Sequence, residues 1–73
     1  MSKLPRVSGY ECVRALENAG FYVSRQRGSH IIMRRDQPFG RLSIPNHKEL
    51  DKGTLRAIIT QAGLEVEEFI KLL

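Results

Sequence analysis

His30 follows directly on the pair Gly28-Ser29, with Arg25 and Arg27 just ahead of it. An imidazole near its reference pKa of about 6.5 exchanges protons at neutral pH and can act as a general base or acid. Guanidinium groups beside it can grip phosphate oxygens through paired N–H donors. The combination suits work on a phosphodiester. Its plainer account is an exposed polar residue on a strand, and on pattern alone that account takes precedence. His47 is the second imidazole. Two imidazoles near one phosphate would offer a base and an acid, although a loop residue bonded to backbone before a helix is the first reading of His47. Lys48 and Lys52 can reach phosphate, beside the free N–H groups that open the following helix, or can be solvated surface.

Other chemistries are poorly provided for. Cys12, among apolar neighbours, reads as an inert core thiol. One Cys and two His match no structural zinc spacing, and there is no Gly-rich phosphate loop, nucleophile elbow or Asp/Glu metal cluster. Any catalysis is expected to proceed without a metal or other cofactor.

The elements that must position these residues are readable from spacing. Ser8 and Glu11 form an S-x-x-E capping box, opening a helix expected to run to about Ala19 with Gly20 as its stop. Residues 21–25 read as a strand, 26–28 as a tight turn and 29–34 as a second strand. Turn chemistry over 36–40 leads to a short third strand at 41–44, ended by Pro45-Asn46. Leu55, Ile58, Ile59 and Ala62 recur at helical spacing before Gly63, and Val66, Phe69, Ile70 and Leu73 repeat it. The expected class is α+β: a three-stranded antiparallel sheet with its helices on one face.

Hairpin arithmetic then sorts the faces. The first turn pairs residues summing to about 54 and the second those summing to about 75. Phe21 faces Met33, Val23 faces Ile31, Ile31 faces Ile44 and Met33 faces Leu42, all apolar. The opposite face carries Tyr22, Ser24, His30, Ile32, Arg34, Arg41 and Ser43, with no helix left to cover it. Arg34 opposite Arg41 is destabilising unless Asp36 or a phosphate neutralises the pair. Tyr22 offers a ring for base stacking or merely covers the sheet. Ile32, an outward aliphatic, suits a protein contact.

Size and charge bound the function. The chain has 73 residues, twelve Lys+Arg against eight Asp+Glu, and a net charge of +4. That is room for one domain, over 1–73, with a polyanionic or acidic partner implied. No apolar run is long enough to span a membrane, no secretory signal is expected from the first ten residues, and a single cysteine excludes an internal disulfide framework; a cytoplasmic location is the default expectation.

Four segments in order resemble the HicA family of toxins from type II toxin–antitoxin systems. They are residues 16–21 (LENAGF), Arg27-Gly28-Ser29-His30, Ile44-Pro45-Asn46-His47, and residues 53–58 (GTLRAI) with Ala62-Gly63. The resemblance implies a double-stranded-RNA-binding-domain-like fold, agreeing with the order above except for the extra C-terminal helix. It also implies mRNA cleavage that inhibits translation, and neutralisation by a HicB-type antitoxin. The family's catalytic histidine carries over to His30 and its Gly-Ser context to Gly28 and Ser29; no catalytic role is carried onto His47. Arg27, Arg34, Arg41 and Lys48 are the expected substrate contacts, with Arg27 and Lys48 nearest the reacting phosphate. A non-catalytic module for structured RNA, or a pure interaction subunit, would present much the same fold and charge.

Overall fold

A computed structural model describes residues 3–73. The order is α1 (Gly9–Glu17), β1 (Tyr22–Arg27), β2 (His30–Asp36), β3 (Phe39–Pro45), α2 (Lys52–Gln61) and α3 (Val66–Leu72). The three strands form one antiparallel sheet in chain order. This is the expected α+β arrangement, three helices included.

Capping fixes the start of α1. Ser8 Oγ accepts from the Glu11 N–H at 3.0 Å and Glu11 Oε1 accepts from the Ser8 N–H at 2.9 Å. The helix ends at Glu17, two residues before the expected Ala19, and Gly20 follows at φ 97°. Its first residue has no room for a side chain: a β-carbon on Gly9 would overlap the Pro45 carbonyl oxygen. That approach lets the Gly9 N–H donate to the His47 carbonyl at 2.8 Å, so the helix start and the loop after β3 are bonded together.

The β2–β3 ladder has the expected register throughout, including His30 with Pro45, Ile31 with Ile44, Met33 with Leu42 and Arg34 with Arg41. β1 and β2 end two residues later than expected, at Arg27 and Asp36, and β3 begins two residues earlier, at Phe39, while β2 begins at His30 and not Ser29. Both connections are only two residues, 28–29 and 37–38, so the first turn is Gly28-Ser29 and not 26–28. Gly28, at φ 58°, takes the first central position of the first turn, where a positive φ is needed. In the second, Asp36 and Phe39 pair directly across the turn; ladder bonding overrides the turn propensity of their sequence.

The β1–β2 register corrects the expectation. Val23 pairs with Met33, not Ile31, and a bulge at Ser24 then sets Arg25 opposite Ile32 and Arg27 opposite His30. Paired residues share a face, so the extra residue carries Arg25 and Arg27 to the side of the sheet opposite the helices. Regular alternation would have turned Arg25 toward the core, at the cost of an unpaired buried charge. Val23 is also not a core residue. It is 44% exposed on an edge strand whose every residue is exposed, and Phe21, just before β1, is the residue buried there.

The core lies between the inner face of the sheet and the helices, joining Phe21, Ile31, Met33, Leu42 and Ile44 to Cys12, Leu16, Leu55, Ile59 and Phe69. Asp51 caps α2, accepting from the Thr54 N–H at 3.0 Å and the Thr54 hydroxyl at 2.6 Å. In α3 only Phe69 is buried, while Ile70 and Leu73, which share its spacing, are exposed. Arg35 closes one end of the layer. Its guanidinium donates to the carbonyls of Pro38, Ala19 and Ala62 at 3.0, 3.4 and 3.2 Å and lies over the Phe21 ring, 4.3 Å from the centroid.

Candidate functional site

His30 is exposed at the first residue of β2, between Arg27 on β1 and Pro45 on β3. The two-residue turn before it holds the exposed Gly28 and Ser29. The Ser29 carbonyl accepts from the Asn46 N–H at 2.6 Å, which draws the loop carrying His47 and Lys48 alongside this turn. His47 is fixed through its backbone by Gly9, and its ring is exposed. Lys48 is exposed in the same loop, and Leu50 anchors the loop's far end, buried and with its N–H bonded to the Val7 carbonyl at 2.9 Å. The backbone therefore gathers Arg27, Gly28, Ser29 and His30 at one turn, with the chain of His47 and Lys48 bonded beside it.

Arg34 and Arg41 lie elsewhere on the same face. They are four residues along from the His30–Pro45 pair, about 13 Å at strand rise. A shallow cavity of about 470 Å³ there is lined by Ser24, Arg25, Ile32, Arg34, Phe39 and Arg41. Asp36, beside the arginine pair on the ladder, accepts from the Tyr22 hydroxyl through its Oδ1 at 3.0 Å and keeps its negative charge in that bond. That bond to a carboxylate raises the Tyr22 pKa and keeps the phenol protonated.

Ile32 requires a correction. Its place on the outer face is as expected, yet it is buried and is not part of the contiguous core. It forms the floor of this cavity among arginine side chains, whose long stems cover apolar surface while their charged ends stay in water. It is not an exposed contact patch. Arg25 and Phe39 are the residues the sequence did not place on this face. The bulge that turns Arg25 outward has no Gly or Pro to announce it, and Phe39 sits in a segment that reads as a turn.

Cys12 is buried, and burial pushes its thiol up to about 12, in keeping with an inert core group. Among the described residues no three His, Cys, Asp or Glu side chains gather as a metal ion would require, and no helix is long and apolar enough to cross a membrane.

Comparison with known proteins agrees with the resemblance carried by the four segments in order. The search of curated proteins returned no match. The family described as the HicA toxin of bacterial toxin–antitoxin systems matches residues 9–64, from the first residue of α1 through the end of α2 and including the whole sheet. The chain belongs to the HicA toxin family.

Proposed function

We propose that this toxin is an endoribonuclease that cleaves mRNA and inhibits translation in the cytoplasm, with His30 as its catalytic residue and a HicB-type antitoxin as its neutralising partner. The observation that carries the reading is the exposure of His30 opposite Arg27, on the sheet face that no helix covers. RNA supplies its own nucleophile, the 2′-hydroxyl, so the protein need contribute only a proton acceptor, charge stabilisation and a held geometry. His30 takes the 2′-hydroxyl proton as that oxygen attacks phosphorus, or protonates the departing 5′ oxygen. Arg27 and Lys48 offset the charge that builds on the phosphorane, and Ser29 orients it. Arg34 and Arg41 hold backbone phosphates farther along the strand. The products are a 2′,3′-cyclic phosphate and a 5′-hydroxyl, with no metal needed. An acidic antitoxin surface laid over this face would exclude RNA sterically.

The test is His30→Ala, assayed on RNA and on the same strand lacking the 2′-hydroxyl. Loss of a proton-transfer group lowers the rate by about 10²- to 10⁴-fold. Because His30 is exposed, thermal unfolding and RNA binding should change little. Undiminished cutting by the variant, or cutting of the 2′-deoxy strand, would refute the mechanism. A wild-type chain that holds structured RNA without cutting it would be a binding module instead.

A further inference from the structure

Resting on the RNA-cleaving reading, we infer that the cavity between Arg25, Arg34, Phe39 and Arg41 is a nucleotide anchor that seats one base and its phosphate at a fixed distance from His30. Four observations converge on it. Phe39 is 70% exposed at the edge of the cavity, an exposure a core aromatic would not show. The Arg34 guanidinium lies over its ring, 5.7 Å from the centroid, so a planar cation and a planar ring already share one platform. Arg41 faces Arg34 across the ladder, and the Ser24 bulge brings Arg25 to the same side, so three guanidiniums surround the space. The floor is the buried Ile32 side chain, apolar and stiff, over which the arginine stems pack so that their charged ends stand around the space.

Three cations beside the single Asp36 carboxylate leave this part of the face net positive, and an anion seated between them lowers their mutual repulsion. A base on Phe39 gains sequence-tolerant stacking, while its phosphate meets the guanidinium forks. An acidic peptide would answer the charge but would leave the exposed ring without a stacking partner. The combination of ring and charge therefore favours a nucleotide. The span from His30 is about 13 Å, which is about four nucleotides on a stacked strand and fewer on an extended one. The anchor thus sets which phosphate reaches His30 by measuring along the strand.

Binding of 2′-O-methyl RNA strands, which cannot be cut, tests this when their length is varied from about two to about eight nucleotides. Wild-type affinity should step upward once a strand spans both places. Phe39→Ala should lose about ten-fold on long strands and remove the step. An abasic nucleotide scanned along a long strand should weaken the wild type at one position and leave Phe39→Ala unaffected there. The double variant Arg34→Gln, Arg41→Gln should lower the salt slope by about 1.4 on long strands only. Equal losses at every length, no loss at all, or a loss confined to antitoxin binding would overturn the anchor. If His30-dependent cleavage holds while the length step is missing, the anchor alone is wrong. If the step persists while cleavage ignores His30, the anchor stands and the catalytic reading falls.

Discussion

Arg34 and Arg35 are neighbours with opposite fates. Alternation along β2 points Arg34 to the open face, toward the cavity, and Arg35 to the helix side, where it meets the ends of α1 and α2 and the β2–β3 turn. One guanidinium there binds three carbonyls and stacks on Phe21, so it satisfies backbone groups that the helix ends would otherwise leave unpaired. Arg35→Ala should destabilise the fold by about 2–4 kcal/mol, since hydrogen bonds to a charged group each contribute about 1.5–3 kcal/mol and the site is only half-buried. Arg35→Lys should recover little, because an ammonium cannot match the planar fork. Urea unfolding of the two variants measures this; a lysine variant as stable as wild type would show that charge alone suffices. Nothing in the sequence separates these two arginines except the parity of β2, which is legible once the β2–β3 register is counted.

Among the elements, α2 carries the clearest pH signature. The Asp51 carboxylate accepts two hydrogen bonds from Thr54, and these lower its pKa below the usual carboxylate value. A folded-state pKa below the unfolded one gives stabilisation that is complete above the ordinary carboxylate range. It is lost as pH falls through that range to the depressed folded value. Asp51→Asn keeps a capping side chain that does not titrate. The difference in melting temperature between wild type and Asp51→Asn should therefore be flat at neutral pH and shrink or reverse below about pH 4. A difference independent of pH would mean the cap contributes without its charge. β1 shows how an element can defeat a pattern. The apolar Phe21 and Val23, two residues apart, suggest plain alternation, but the pair registers move by one residue at Ser24 and Arg25 and Arg27 after it change face.

At the scale of the molecule, a chain of 73 residues has a thin core, and α3 is part of it. The family match ends at residue 64, yet Phe69 is fully buried among core side chains and Asn18 Nδ2 donates to the Leu72 carbonyl at 3.1 Å. Phe69→Ala should cost about 3–5 kcal/mol, a large part of the 5–15 kcal/mol typical of a domain. Ile70→Ala, on the exposed side of α3, should cost far less. Denaturant midpoints compare them directly, and equal losses would show that α3 packs differently. The sequence alone determined the capping box of α1, the glycine stops, the β2–β3 register and the placing of His30 near the start of β2 beside a turn, because each depends on neighbours within a few residues or on a strict period of two. The tertiary structure alone decided that Arg25 and Phe39 join the face of His30, that Ile32 is covered, and that Arg35 is a clamp. Those outcomes rest on one extra residue in a ladder and on which side chains from distant segments meet over it, and neither leaves a local mark in the chain.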